Sequence, residues 1–363
     1  SGLDVIQADG KHTTSLSTRL AGERIRCVLV DSRDRLWLCT YGKGLYCAER
    51  SGAVTVYDST TVDIGNKVRV ALELTDGTIV ASSNKGITYL HSDGSTQFIA
   101  YNDELPSAVV LNLMQLADGT LLAGTDGEGI AVIRDGSVER ILTTSDGLTS
   151  GVILRTVQDC ERTADGGAAY RGTFIVTSNS LCYMDADFAI HPLNNFPYFN
   201  NYEIWQNSEG SLFVSGSAGI YVVSRDALLN RSAPLQYDLL DARSGLNSAL
   251  TANAWNFCDD EENLYLSCGT GVYVVNMHNY LAGKRSYRML LSTIALDNVT
   301  YSVERGVPFR IDRDVNKIEL FPEVVNYTVL DPLVSYRLEG FDSTATVLPQ
   351  SELTSVVYTT LVS

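Results

Sequence analysis

The sequence VLVDSRDRLWLCTYGKGLY occupies residues 28–46 and contains three successive candidate strands. A short apolar run leads into a charged turn around Asp34, and a second apolar run opens at Leu36. Small and polar residues then lead to Gly44, after which a third apolar run begins. Apolar runs of this length, separated by turn residues, are typical of consecutive antiparallel strands.

The same order of features occurs six times along the chain. An apolar residue opens the second strand of each copy, and these anchors are Leu36, Ile79, Leu121, Phe174, Leu212 and Leu264. Successive anchors lie 43, 42, 53, 38 and 52 positions apart. Repeats of about 40–50 residues without helical periodicity are typical of the four-stranded blades of a β-propeller. Asp-Gly pairs at 76–77 and 118–119 favour tight hairpins within the blades.

The predicted fold class is therefore all-β, a β-propeller with six recognisable blades plus part of a seventh. Residues 2–6 and 12–16 resemble third and fourth strands, so we expect the natural protein to continue on the N-terminal side and complete a seven-bladed ring. The fourth repeat carries a polar, glycine-rich insertion at 161–169, which the composition predicts to be a mobile loop.

The repeat pattern stops near residue 286. Later strand-like runs, at 317–321 and 333–338, lack its turn and its glycine–aliphatic pair. We predict two domains, a propeller at 1–285 and a partial immunoglobulin-like β-sandwich at 286–363.

The composition excludes several classes of protein. The 363 residues include 27 Lys and Arg against 43 Asp and Glu, a net charge of -16 that disfavours nucleic acid as a partner. No apolar run is long enough for a membrane segment, and any signal peptide has been removed or was never present. The seven cysteines lack CxxC spacing, which indicates neither a disulfide framework nor a zinc site and leaves a single disulfide open.

The first repeat resembles the two-component-regulator propeller repeat. The matching residues are Val30-Asp31, Leu36-Trp37, Thr40 and Gly44-Leu45-Tyr46. The tail resembles the immunoglobulin-like module named for three tyrosines, at Tyr327, at Tyr336-Arg-Leu-Glu-Gly340 and at Tyr358-Thr-Thr-Leu361. This resemblance implies the periplasmic sensor region of a Bacteroides-type hybrid two-component system, which detects an oligosaccharide and induces the matching degradation genes.

The resemblance has departures. Asp34 and Glu262 stand where the turn glycine is usual, and the tryptophan of the family's Leu-Trp pair occurs only at Trp37. The tyrosine module stops before its last strand. The resemblance therefore implies a fragment, with histidine kinase activity, a membrane segment and a homodimer expected only in the full-length protein.

Catalytic and metal-binding motifs are not evident. The four histidines lie singly, without the spacing of metal ligands, and no nucleophile elbow or phosphate-binding loop occurs. Paired acids at 259–262 favour a solvated hairpin turn over a calcium site. We expect this fragment to have no enzymatic activity, no metal and no cofactor.

Three arginines are the first candidate ligand residues. Arg26, Arg69 and Arg155 fall at corresponding positions near the start of the innermost strand in three blades. Because innermost strands surround the channel of a propeller, the three could form a basic ring that holds a uronate or sulfate. The alternative is that each arginine pairs with a neighbouring carboxylate.

Aromatic residues interleaved with amides are the second candidate, because sugar rings pack on aromatic faces while their hydroxyls pair with amides. Residues 194–205 contain five aromatics and four asparagines. The ligand-binding candidates here and one blade later are Tyr198, Phe199, Asn201, Tyr202, Asn253 and Trp255. Trp37 and Trp205 are predicted to be core residues.

The sequence thus predicts a periplasmic oligosaccharide sensor that relays a conformational change to a kinase outside this chain. Two alternatives remain open. A secreted propeller enzyme acting on glycans would need acid, base or histidine side chains converging at the channel mouth. A protein-interaction scaffold would instead present a large flat apolar patch.

Overall fold

The structure is a computed structural model that describes residues 2–7, 10–12, 14–101, 105, 109–163, 167–197, 200–230, 235–252, 254–282, 287–326 and 332–359. Its contacts divide the chain into two compact units, Ser1–Leu240 with Ser248–His278 and Asp241–Asn247 with Asn279–Ser363. Within the described ranges, no helix combines the length and the apolar character needed to cross a membrane.

The first unit consists of antiparallel sheets in which strands that follow each other in sequence lie side by side. The first pair is β1 (Val5–Gln7) and β2 (Gly10–His12), followed by a short helix, α1 (Ser15–Arg19). Two four-stranded sheets come next. They contain β3 (Ile25–Val30), β4 (Leu36–Thr40), β5 (Leu45–Ala48) and β6 (Val54–Tyr57), then β7 (Val68–Glu73), β8 (Ile79–Ser83), β9 (Gly86–Leu90) and β10 (Thr96–Ala100).

Three further four-stranded sheets repeat this arrangement. They contain β11 (Val110–Gln115), β12 (Leu121–Thr125), β13 (Ile130–Arg134) and β14 (Ser137–Leu142); β15 (Ile153–Arg162), β16 (Ala168–Thr177), β17 (Leu181–Asp185) and β18 (Ile190–Pro192); and β19 (Glu203–Gln206), β20 (Ser211–Gly216), β21 (Gly219–Ser224) and β22 (Tyr237–Leu240). A three-stranded sheet follows, with β23 (Phe257–Cys258), β24 (Asn263–Cys268) and β25 (Gly271–Asn276). Short helices are α2 (Arg225–Leu229), α3 (Met277–Ala282) and a 3-10 turn at Thr144–Asp146.

The sheets are arranged as the blades of a propeller. The first strands of five successive sheets contact one another in the order β3, β7, β11, β15 and β19. Contact between successive first strands makes them the innermost strands of a ring, and each anchor residue lies at or near the start of a second strand or within it. The predicted β-propeller is confirmed, with the sixth blade three-stranded and the partial blade two-stranded among the described residues.

Two local predictions were wrong. The 161–169 insertion is not a loop from its first residue to its last, because β15 and β16 continue their pairing into both of its ends through Glu161–Ala169 and Arg162–Ala168, while residues 164–166 lie outside the described ranges. At the N-terminus, the strand expected at 12–16 ends at His12, and Ser15–Arg19 forms the helix α1. Thr14 caps that helix by accepting a hydrogen bond from the Ser17 amide at 3.0 Å, which favours a helix start over a strand.

Trp37 lies in the core of the first blade, as predicted, with 1% of its surface exposed. Its Nε1 donates to the buried carboxylate of Asp31 at 2.8 Å, and Arg35 Nε donates to the same carboxylate at 2.6 Å. Burial alone would raise the pKa of Asp31, but the hydrogen bonds from Trp37 and Arg35 outweigh it and hold the pKa below its ordinary value. The Asp-Trp pair of the repeat is therefore a buried structural contact.

The two departures from the usual turn glycine lie in hairpin turns whose backbone conformation favours glycine. Gly77 and Gly119 have φ values of 81° and 87°, in the left-handed region that favours glycine. Asp34 and Glu262 hold the equivalent positions with φ values of 58° and 62°. The backbone is therefore strained at these two residues, and glycine at either position would avoid that strain.

An Asp34→Gly variant is expected to be more stable than the wild type by up to about 1 kcal/mol. The left-handed conformation costs a non-glycine residue roughly 1–2 kcal/mol, and the greater freedom of glycine in the unfolded chain offsets part of that gain. The ion pair lost with Arg50 is exposed and contributes little. The measurement is the denaturation midpoint, with Asp34→Ala as control because alanine keeps the strain; an equal gain in both variants would contradict this explanation.

The second unit contains a four-stranded antiparallel sheet in the order β27-β26-β28-β31 and a two-stranded hairpin. Its strands are β26 (Arg288–Leu296), β27 (Val299–Ser302), β28 (Lys317–Val325), β29 (Leu333–Tyr336), β30 (Thr346–Pro349) and β31 (Val356–Thr359), with 3-10 turns at Ala242–Ser244 and Gln350–Glu352. The Tyr358 hydroxyl donates to Asp342 at 2.8 Å. Tyr327 lies outside the described residues, and the immunoglobulin-like assignment stays a prediction.

Candidate functional site

A cavity of about 340 Å³ lies where the first strands of four blades begin. We call it the strand-start cavity, and its lining residues are Arg26, Arg69, Leu111, Asp126, Val152, Leu154, Arg155 and Trp255. The three arginines expected to meet in the channel therefore do line one cavity, together with the tryptophan singled out from the sequence.

A repeated β-bulge determines which side chains enter this cavity. Pairing between the first and second strands skips one residue in each of four blades, and the skipped residues are Arg26, Arg69, Leu111 and Leu154. A bulge leaves one residue unpaired and re-aims its side chain. The prediction that Arg155 corresponds to Arg26 and Arg69 was wrong, because Leu154 occupies the bulge position and Arg155 follows it.

Arg155 is buried and fully engaged. Its Nε donates to Glu203 at 3.2 Å, and its two terminal nitrogens donate to the carbonyls of Leu154 and Ala254 at 2.7 and 2.8 Å. The guanidinium also lies 4.0 Å from the ring centre of Trp255. Of the two possibilities that the sequence left open for the three arginines, Arg155 follows the second, because it pairs with a neighbouring carboxylate.

Glu203 is as deeply buried as the arginine it pairs with. Its second oxygen accepts a hydrogen bond from Asn256 Nδ2 at 2.7 Å. Burial raises the pKa of Glu203 above its ordinary value, and Arg155 and Asn256 only partly oppose that effect. The Arg155–Glu203 pair is thus a structural contact.

Arg26 and Arg69 differ from Arg155. Both are half-buried, and within the described ranges no carboxylate oxygen lies within ion-pair distance of either. Asp126 shares the cavity lining, but no ion pair joins it to either arginine in the described part of the chain. These two arginines therefore keep their donors for other partners.

A second cavity, of about 740 Å³, lies toward the other end of the first strands. We call it the strand-end cavity. Arg155 and Trp255 line it as well, so this pair contributes to the walls of both cavities. Its other main lining residues are Gln158, Cys160, Glu161, Arg171, Glu203, Trp205, Gln206, Asn207, Glu209, Cys258 and Glu262.

Trp205 was predicted to be a core residue, but it is half-buried and forms part of this cavity wall. It lies on β19, where neighbouring residues face opposite sides, and the adjacent Ile204 enters the hydrophobic core instead. The sequence contained a signal for this placement, because the apolar residue Ile204 comes directly before Trp205 and adjacent strand residues face opposite sides. The strand-end cavity consequently offers two tryptophans beside several amides.

The buried carboxylate of Asp159 lies behind this wall, and sequence analysis did not single it out. Arg225 donates to it through Nε and Nη2 at 2.8 and 2.5 Å, and the Tyr183 hydroxyl donates at 2.8 Å. Arg171 and Gln206, which line the strand-end cavity, each approach it to 3.4 Å. Burial would raise the pKa of Asp159, but Arg225 and Tyr183 hold it below its ordinary value.

The remaining sequence candidates are placed elsewhere. Asn201 is buried, and its side-chain amide has no hydrogen-bond partner among the described residues. Tyr202 is half-buried, and neither residue lines the two cavities. Tyr198, Phe199 and Asn253 lie outside the described residues.

No group of three metal-binding side chains occurs in the part of the chain that the structure describes. The acidic residues at 259–262 form a hairpin turn in which the Asp259 carboxylate accepts hydrogen bonds from the amides of Glu261 and Asn263. The described histidine side chains contact Thr78, Asp185 and Glu209. None of these three histidines lines either cavity.

Comparison with known proteins supports the sequence resemblance. Residues 19–42 match the family model described as two component regulator propeller. This segment covers Trp37 and the bulge residue Arg26, which lie on the first two strands of the first blade. No curated protein sequence matches the chain.

Two solved structures resemble the chain at low sequence identity and so support the fold. The extracellular domain of a protein assigned as a hybrid two-component system of B. thetaiotaomicron has a TM-score of 0.69 at 16% identity, covering 98% of this chain and 48% of that one. The present chain thus spans about half of that structure. A virginiamycin B lyase from Staphylococcus aureus has a TM-score of 0.51 at 14% identity, covering 74% of this chain and 85% of that one.

Proposed function

We propose that this chain is part of the extracytoplasmic sensor of a hybrid two-component system. The observation that carries the proposal is the structural match over 98% of the chain to the extracellular domain of such a system. The regulator-propeller repeat at 19–42 supports the same assignment independently. The kinase would lie outside this chain.

The ligand that we propose is an oligosaccharide bound in the strand-end cavity. Its volume of about 740 Å³ is in the usual range of small-molecule sites. Trp205 and Trp255 supply aromatic faces on which C–H faces of sugars pack, and Gln158, Gln206 and Asn207 supply amides for hydroxyl groups. This combination is typical of sites for hydroxyl-rich molecules.

Signal relay would follow from a change in propeller orientation within a dimer when the ligand binds. Binding can shift such an equilibrium only by the difference in its affinity for the two arrangements. The proposed relay therefore requires that the bound oligosaccharide contact residues whose positions differ between them.

The test is a panel of plant and host oligosaccharides, followed by tryptophan fluorescence and thermal unfolding. A ligand of the folded state at a hundredfold excess over its dissociation constant stabilises the protein by about 2.7 kcal/mol. We expect saturable binding of one glycan family. Binding by no member of the panel would contradict oligosaccharide sensing in this chain, and release of a cleaved product would instead favour the propeller enzyme.

A Trp205→Leu variant is expected to bind that oligosaccharide roughly tenfold more weakly, because loss of a stacking face costs on the order of 1.5 kcal/mol. Leucine keeps the position apolar, so the fold should persist. Tyr301→Leu, an exposed aromatic in the second unit, is the matched control. Equal weakening in both variants, measured by titration calorimetry, would place the ligand elsewhere.

A further inference from the structure

Four cationic side chains surround the ring of Tyr41. The charged groups of Arg24, Arg26, Lys67 and Arg69 lie 5.3, 5.0, 5.4 and 5.9 Å from its centre. We call this group the Tyr41 cation cluster. It adjoins the strand-start cavity, because Arg26 and Arg69 line that cavity.

The backbone places these side chains together. Arg24 and Arg26 are two residues apart at the start of β3, and Lys67 and Arg69 have the same spacing at the start of β7 in the next blade. The Tyr41 amide donates to the Arg24 carbonyl at 2.9 Å, which fixes the ring beside the first pair. The two bulges then direct Arg26 and Arg69 toward the cavity.

The cluster lacks neutralising partners. Within the described ranges, no carboxylate oxygen lies within 4.0 Å of any of the four cations, although the whole chain has a net charge of -16. The Nε of Arg26 is buried and has no hydrogen-bond partner among the residues that the structure describes. Burial, then repulsion from Arg69 and Arg24, lowers the pKa of Arg26. Like charges held this close repel one another until an anion binds between them.

We infer that the Tyr41 cation cluster binds an oxyanion, a sulfate or carboxylate group carried by a sugar in the strand-start cavity. Guanidinium groups present paired N–H donors that match the oxygens of both anions. The cavity volume of about 340 Å³ is at the small end of ligand sites and suits a terminal sugar. This inference rests on the proposed function and adds a charge requirement to the ligand.

The experiment titrates this protein with two pairs of probes by calorimetry at low salt. One pair is trigalacturonate and its methyl ester, which differ only in the carboxylate charge. The other is a sulfated carrageenan disaccharide and its desulfated counterpart. We expect at least one charged probe to bind saturably and its neutral counterpart to bind at least about tenfold more weakly, and the pair that responds identifies the anion.

Variants locate the binding. The Arg26→Gln/Arg69→Gln variant is expected to bind the charged probe at least about tenfold more weakly for each arginine removed, because hydrogen bonds between charged groups are strong. Arg33→Gln/Arg50→Gln, which removes two exposed arginines of the first blade, is the matched control for net charge. Failure of both charged probes to bind, equal binding of charged and neutral probes, or equal weakening in the control would overturn the inference. A charged probe that binds the Arg26→Gln/Arg69→Gln variant as tightly as the wild type would overturn it while leaving the proposed function intact.

Discussion

An Asp159→Asn variant is expected to lose about 3–5 kcal/mol of stability, because it removes one partner of a buried ion pair. The carboxylate is fully buried and faces the guanidinium of Arg225, whose side chain is 16% exposed. Asparagine keeps the shape but supplies an N–H donor toward groups that already donate. Arg171 and Tyr183 would lose the same acceptor. Urea denaturation of the whole chain measures the loss.

Asp226→Asn is the matched control, because Asp226 pairs with the same arginine at 3.0 Å but has 89% of its side chain exposed. The Asp226→Asn variant should lose less than about 1 kcal/mol of stability.

The stability at acid pH should also distinguish the wild type from the Asp159→Asn variant. Since the pKa of Asp159 in the folded state lies below its ordinary value of 3.8, its stabilising effect is present above that value and disappears as the pH falls through the folded-state pKa. A wild type and an Asp159→Asn variant with parallel acid stability curves would contradict this account.

The propeller could be predicted because the same pattern of apolar runs and turn residues occurs six times along the sequence. The period of the anchor residues determines the blades, and the position of a residue within a repeat determines where it lies along its strand. This is why Arg26 and Arg69 were correctly expected near one another. The same reasoning failed for Arg155, because a bulge shifts the count by one residue without any mark in the sequence.

The contacts between blades could not be predicted in the same way. Glu203 lies 48 positions from Arg155, and Arg225 lies 66 positions from Asp159. Such pairs depend on how neighbouring sheets twist and on which face of a strand each side chain occupies. Tyr41 was missed for a related reason, because its significance comes only from cations that two different blades supply.

An Arg155→Met variant is expected to lose about 3–5 kcal/mol near neutral pH, because it leaves the carboxylate of Glu203 buried with only Asn256 as a partner. Methionine fills much of the same space and can pack on Trp255. Burial already raises the pKa of Glu203, and loss of the arginine removes its main opposing influence. The folded state then binds a proton more readily than the unfolded state does.

That linkage fixes the sign of the pH effect. Stability of Arg155→Met should recover relative to wild type as the pH falls toward 4.5, the ordinary pKa of the Glu203 carboxyl, because protonation removes the buried charge. The double variant Arg155→Met/Glu203→Gln carries no such charge, so it should be more stable than Arg155→Met at neutral pH and lack the extra pH slope. If thermal unfolding shows the single and double variants to be equally stable at pH 7, then Arg155 stabilises the channel through Trp255 and the backbone carbonyls instead of through Glu203.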